Sequence, residues 1–271
     1  ADMCAVSVKT VAFARKVCYD VSKKELPAAS GRGGRGEERA MSAFLLLAAL
    51  LPAIILMNRV YKLDKIEMEP PRVLWALIGC GALSAGAAYI LEVVLTAVLD
   101  GFLPEGSMAY LAIENFVIVA FSEELCKRFP VRTLFWKNRA FDYRFDAVVY
   151  CVFSALGFAA LENVLYVAES GLQTAIMRAL LSVPGHFFFA VYMGVYLGEA
   201  KVCEAQGKPR ARRYYLWGSL IVPTLLHGFW DFDLSLDAPW ATVAFYVFVL
   251  VFFLRANRLL HRASENDVCV G

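Results

Sequence analysis

The sequence predicts an all-α membrane protein, a bundle of about seven transmembrane helices with its N-terminus outside and its C-terminus cytoplasmic. Three observations predict it. The 271 residues are 59% hydrophobic and only 19% charged, with a mean hydropathy of +0.55, whereas a soluble domain is roughly half apolar and about a quarter charged. Seven stretches supply the ~20 apolar residues that a hydrocarbon core of ~30 Å requires. Lys and Arg alternate between successive connections, which orients the bundle.

Residues 1–40 precede the first apolar stretch and hold eight Lys and Arg, a density at odds with an outside N-terminus. Met41 opens MSAFLLLAALLP, the pattern of a helix that starts with a short tail. Residues 1–40 are therefore expected to be an upstream extension without a structural role, and the Gly-rich residues 30–36 to be disordered. The apolar stretches then follow at 42–58, 73–99, 107–130, 145–168, 172–198, 214–232 and 239–255. Connections 58–72, 127–144, 199–213 and 255–271 hold 4, 6, 5 and 3 Lys and Arg, while 100–107, 168–172 and 231–239 hold none. The first set is assigned to the cytoplasm. Residues 41–260 read as one membrane-embedded domain and 261–271 as a cytoplasmic tail. No alternating pattern suggests a β-barrel.

A net charge of +2 with its basic residues in short runs beside apolar stretches argues for the lipid bilayer as partner and against nucleic acid. The seven cysteines, Cys4, Cys18, Cys80, Cys126, Cys151, Cys203 and Cys269, are scattered and form no CxxC pair. They signal neither a disulfide framework nor a thiolate zinc site.

Ionisable residues inside hydrocarbon are costly and mark function by default. They cluster in four spans: Glu123-Glu124 with Lys127, Glu162-Asn163, His186 with Gly194 eight residues on, and His227 with Asp231. Lys127 is four residues from Glu123 and three from Glu124, so on a helix it can face either carboxylate. His227 and Asp231, four apart, share a face, and Asp231 can join the site or hold the imidazole in one tautomer. At ~1.5 Å per residue, Glu162 and His186 reach similar depths. Glu123 joins them if its helix continues past Pro130 to about residue 136 with a kink. Two adjacent carboxylates in low dielectric disfavour double ionisation, and one so tuned can take a proton from water and return it to a leaving amine. Glu92 and Glu114 are further membrane-level carboxylates outside these patterns. Arg178 is expected to snorkel to the outer face, and Phe187, Phe188 and Phe189 to contact lipid.

Together the four patterns resemble the PrsW family of membrane-embedded proteases, related to the CAAX prenyl protease and bacteriocin-immunity superfamily. The family motifs EExxK, FxxxEN, HxxxxxxxG and HxxWD stand here as Glu123-Glu124…Lys127, Phe158…Glu162-Asn163, His186…Gly194 and His227…Trp230-Asp231, in order and each on its own span. The resemblance covers about residues 41–260. It implies an endopeptidase of the bacterial plasma membrane that cleaves a membrane-anchored protein, such as an anti-sigma factor. Two mechanisms stay open. In one, His186 and His227 with Glu162 or Asp231 bind Zn²⁺, since a catalytic zinc takes three N/O ligands and keeps one position for water, and Glu123 or Glu124 is the base. In the other, a glutamate and a histidine activate water without metal, as the resemblance to the prenyl proteases suggests, with Lys127 and Asn163 stabilising the oxyanion. The glutamate at the FxxxEN position stands where those relatives have histidine, and the added negative charge favours the metal. A proton-coupled transporter or a non-enzymatic immunity-type protein would use the same residue types. No internal repeat supports the transporter.

Overall fold

A computed structural model describes residues 34–236 and 238–271. The expectation for residues 1–33 lies outside them. From Gly34 onward the chain is already helical, so residues 34–40 continue the first helix; Glu37, Glu38, Arg39 and Ala40 are all good helix formers.

Seven helices follow one another, with no strand among the described residues. Helix α1 runs Gly34–Leu63 and α2 runs Pro71–Leu99, with Pro71 in the first turn, where a missing N–H costs nothing. Helix α3 spans 108–135 in four joined pieces, two of them π-helical, Glu114–Ala120 and Pro130–Phe135. Pro130 thus opens a wider turn and the helix passes beyond it, as the depth of Glu123 requires. Helix α4 is Asp146–Met177. A π turn, Arg178–Ser182, leads into α5, Val183–Ala205. Helices α6, Pro209–Ser235, and α7, Pro239–Glu265, complete the bundle.

Five segments are long and apolar enough to cross a membrane: Phe44–Leu63, Pro71–Leu99, Asp146–Ala168, Leu172–Ala205 and Pro239–Glu265. Helices α3 and α6 fall short of that apolarity because they carry Glu123, Glu124, Lys127, His227 and Asp231. The most enclosed spans are Asp146–Ala168, 72% buried in its apolar window, and Leu172–Ala205, 61% buried; α1, α2 and α7 are 17–28% buried there and form the outer wall.

Helices α4 and α5 lie antiparallel at the centre. A Cβ on Gly194 of α5 would stand 2.8 Å from the Ala147 carbonyl oxygen and 2.9 Å from the Val148 nitrogen, so glycine is what allows the two backbones to meet. The same holds where α2 crosses α4, with Gly157 against Ile78 and Gly81 against Ser154. Small residues at such crossings bring membrane helices into van der Waals contact. Phe187, Phe188 and Phe189 are buried at 0, 6 and 2% exposure, which corrects the expectation of lipid contact. Being central, α5 turns these rings onto each other and onto Phe252 and Phe253 of α7.

Candidate active site

Helix α3 supplies the first group. In the α segment Phe121–Phe129 between its π segments, Lys127 Nζ donates to Glu123 Oε2 at 2.7 Å and to Glu124 Oε1 at 2.8 Å. All three side chains are buried, with 1–5% of their surface exposed. The i,i+3 and i,i+4 spacing thus makes one ammonium serve both carboxylates. Single π turns re-aim side chains and often flank functional positions, and Glu123-Glu124 lies in the first α turn after one.

Helix α5 supplies His186, whose Nδ1 lies 2.9 Å from Lys127 Nζ and whose Nε2 lies 3.1 Å from Glu162 Oε2 on α4. An ammonium can only donate, so Nδ1 accepts and Nε2 carries the proton that faces Glu162. Phe158, one turn before Glu162, places its ring 4.5 Å from Lys127 Nζ and 6.1 Å from the His186 ring. Its role is to close the apolar side of the site and hold the lysine by a cation–π contact.

Helix α6 supplies His227. Its Nδ1 is 3.0 Å from Glu124 Oε1, its Nε2 is 3.1 Å from Asp231 Oδ2 and 3.9 Å from Glu123 Oε2. The expected shared face of His227 and Asp231 is present. Carboxylates at both ring nitrogens can be satisfied only if the ring carries both protons or holds a cation on one of them. Phe189 stacks on the His227 ring at 4.9 Å, and Trp230 stands edge-on to Phe189 at 5.9 Å. The two imidazoles are 5.7 Å apart between centroids. Glu162, His186, Lys127, Glu123, Glu124, His227 and Asp231 therefore form one connected polar chain across four helices.

Asn163 lies apart from it. Its side chain donates to the Ala49 carbonyl of α1 at 2.9 Å and accepts from Arg178 Nε, and it is fully buried. It ties α4 to α1. Arg178 is 5% exposed, its Nη2 2.9 Å from Glu162 Oε2 and its guanidinium 4.2 Å from the Tyr166 ring centroid. This corrects the expectation that it snorkels outward: the π turn that begins at Arg178 faces it inward, where a buried carboxylate needs a partner. The sequence reading missed its place beside the site. The available signal was an arginine inside an apolar stretch with Glu162 sixteen residues earlier. Glu92, buried on α2, interacts electrostatically with Glu123, Glu162, Lys127 and His227.

The residues fit a cation on three counts. Glu123, Glu124 and His227 each offer a donor atom within 4.8 Å of the others. The second oxygen of Glu124, Oε2, is buried without a hydrogen-bond partner. The carboxyl groups of Glu92, Glu123, Glu124, Glu162 and Asp231 also outnumber the permanent cations Lys127 and Arg178. Of the expected set His186, His227, Glu162 and Asp231, His227 is the member within this group; His186 already has Lys127 and Glu162 on its two nitrogens.

Comparison with known proteins bears on the same residues. The family described as PrsW family intramembrane metalloprotease matches residues 69–256, which include all four motifs. Protease PrsW of Geobacillus kaustophilus (strain HTA426) is 35% identical over 222 residues, 81% of this chain and 92% of that protein. Protease PrsW of Bacillus subtilis (strain 168) is 32% identical over 226 residues, 83% and 99%. That of Clostridioides difficile (strain 630) is 33% identical over 217 residues, 78% and 87%. No solved structure matches. With five membrane-crossing segments and bacterial relatives throughout, this is a multi-pass protein of the bacterial cell membrane. It belongs to the PrsW family of intramembrane proteases.

Proposed function

We propose that Glu123 activates the water that cleaves a peptide bond of a membrane-anchored protein, with Glu124 and His227 as the pair that would hold a divalent metal. The observation that carries this reading is the convergence of Glu123, Glu124, Lys127, His186 and His227 in direct contact from three separate helices. Glu123 Oε2 stands 3.9 Å from His227 Nε2, beyond hydrogen-bond range, a gap of the kind a water bridges. From there its carboxylate takes the proton of the water and passes it to the leaving amine. Lys127, its three N–H groups engaged by Glu123, Glu124 and His186, favours the oxyanion through its charge, and Glu162 with Arg178 fixes His186, which fixes Lys127. Asp231 orients the His227 ring, as outer carboxylates do for histidine ligands.

The orphaned Glu124 Oε2 and the N/O donor set suit Zn²⁺. When bound, such a metal supplies Lewis-acid polarisation of the scissile carbonyl and a more acidic water. A second reading, water activated by Glu123 and His227 alone, is favoured by Lys127, which already places a positive charge 2.7 and 2.8 Å from the two glutamates. The substrate that the resemblance implies is a membrane-anchored protein such as an anti-sigma factor, and the site stands among the membrane helices.

Purified protein is tested for cleavage of a single-span substrate in detergent, beside elemental analysis. Glu123→Gln is expected to lower the rate at least ~100-fold and to keep the metal. Glu124→Gln and His227→Ala are expected to lose metal and activity together. Wild-type rates in Glu123→Gln reject its role as base. A fully active wild-type protein without stoichiometric metal selects the metal-free reading.

A further inference from the structure

A second group of buried acids lies at the N-terminal end of α4, away from Glu162 at its middle. Asp64 follows the last residue of α1, Glu69 immediately precedes the proline pair that opens α2, and Asp146 is the first residue of α4. They are 5, 3 and 1% exposed, and each offers a carboxylate oxygen within 4.8 Å of the others. Sixteen residues separate Asp146 from Glu162 along α4, about 24 Å at the rise of an α-helix, so this group is distinct from the proposed active site.

Its hydrogen bonds leave it incomplete. Asp146 Oδ2 accepts from the Asp142 and Tyr143 nitrogens at 3.0 and 2.7 Å. Glu69 Oε2 accepts from the Tyr150 hydroxyl at 2.9 Å. Asp64 Oδ2 is buried without any hydrogen-bond partner. Among the described residues, no Lys, Arg or His makes an ion pair with any of the three. Leaving a buried carboxylate oxygen unpaired costs free energy on the scale of a lost charged hydrogen bond. The cluster thus lacks a counter-charge among the described residues.

We propose that Asp64, Glu69 and Asp146 bind a hard divalent cation, Mg²⁺ or Ca²⁺, that fastens the ends of α1, α2 and α4 together. An all-carboxylate oxygen set selects this class of ion over Zn²⁺, which takes nitrogen and sulfur donors more readily. The orphaned Asp64 oxygen gains a partner, and the cluster gains a positive charge that no Lys, Arg or His among the described residues supplies. The C-terminal tail closes over the same end: the Arg144 nitrogen donates to the Val268 carbonyl at 2.9 Å, the Phe145 nitrogen to Asp267 Oδ1 at 2.8 Å, and the Ser264 hydroxyl to the Leu63 carbonyl. The cation therefore joins the three helix ends that the tail already touches or adjoins.

The test uses the full-length protein in detergent, stripped of metal and titrated with Mg²⁺ and separately with Ca²⁺. At about 100 times the dissociation constant, either ion that binds should raise the melting temperature by roughly 5–10 °C. Terbium emission excited through tyrosine, with Tyr150 in hydrogen-bond contact with Glu69, should report occupancy and be displaced by the bound ion. Asp64→Asn removes charge without breaking a hydrogen bond, so it should fold yet lose both responses; Glu69→Gln serves as the second variant. His227→Ala should retain both responses, which separates this site from the one proposed for catalysis. No thermal shift and no terbium emission in the wild-type protein, or wild-type responses in both Asp64→Asn and Glu69→Gln, would overturn the proposal.

Discussion

Gly194→Ala links helix packing to chemistry with one methyl group. The added carbon would stand 2.8 Å from the Ala147 carbonyl oxygen and 2.9 Å from the Val148 nitrogen. Both neighbours are backbone, so no side-chain rotation relieves the contact. The Val148 Cα is closer still, and because non-bonded atoms settle at ~3.5 Å or beyond, α5 must move away from α4 by roughly 1 Å. Overpacking of this kind costs about 1–3 kcal/mol. The same two helices hold His186 and Glu162 in their 3.1 Å contact, and a misplacement of ~1 Å in a catalytic array can cost ~100-fold in rate. The expected outcome is a lower melting temperature in detergent together with a loss of cleavage of up to ~100-fold. Gly79→Ala on α2 is the control, because a Cβ there meets nothing within 4 Å. Wild-type stability and rate in Gly194→Ala would refute the packing argument. An equal loss in Gly79→Ala would assign the effect to helix glycines in general.

Arg178→Met leaves Glu162 without the guanidinium 2.9 Å away; the expected loss is about 3 kcal/mol, the low end for a broken buried pair, because the Glu162 side chain is 18% exposed. The double variant R178M/E162Q should recover most of it in the same melting assay, and equal instability of both would refute the pairing. Glu92→Gln should keep the cleavage rate within about tenfold, since among the described residues no ion pair joins Glu92 to the cluster; a ~100-fold loss, in the range of lost acid–base catalysis, would bring it into the machinery. For orientation, a variant retaining only Cys269, which is exposed, should resist an impermeant thiol reagent in intact cells and react once the membrane is opened. Cys203 is buried and would stay silent on either side. Ready labelling of Cys269 in intact cells would reverse the topology.

The chemistry was legible in the sequence because its groups have no other reason to be where they are. Glu123, Lys127, His186 and His227 stand in apolar surroundings, and helical spacing alone lets Lys127 face either glutamate and sets His227 on one face with Asp231; that Lys127 meets both glutamates is a finding of the structure. The continuation of α3 beyond Pro130 was legible for the same reason, since Glu123 needed the depth. The π turns were not: Glu114–Ala120 and Arg178–Ser182 shift the facing of everything after them by part of a turn, and no residue type announces them. Arg178 was misread on that account. Counting along a regular helix cannot say whether an arginine near its end faces lipid, headgroup or carboxylate.

The aromatic residues and Asn163 fail to declare themselves for another reason. A phenylalanine is equally at home against lipid and against protein, so Phe189 shows its role only once α5 is known to lie at the centre, stacked on His227. Asn163 shares a motif with Glu162, yet adjacent residues on a helix point about 100° apart, and the asparagine reaches α1 and Arg178 instead of the polar chain. Shared sequence position therefore records a shared helix more than a shared task. Glu162 orders the site through His186, while Asn163 orders the guanidinium that keeps Glu162 in place. The acids at the far end were invisible for the converse reason. Asp64, Glu69 and Asp146 sit in polar connections where a carboxylate is unremarkable in sequence. Only their burial without a counter-charge makes them a question, and α4 then becomes a single rigid element held by polar groups at its N-terminal end, Asp146, and again at its middle, Glu162.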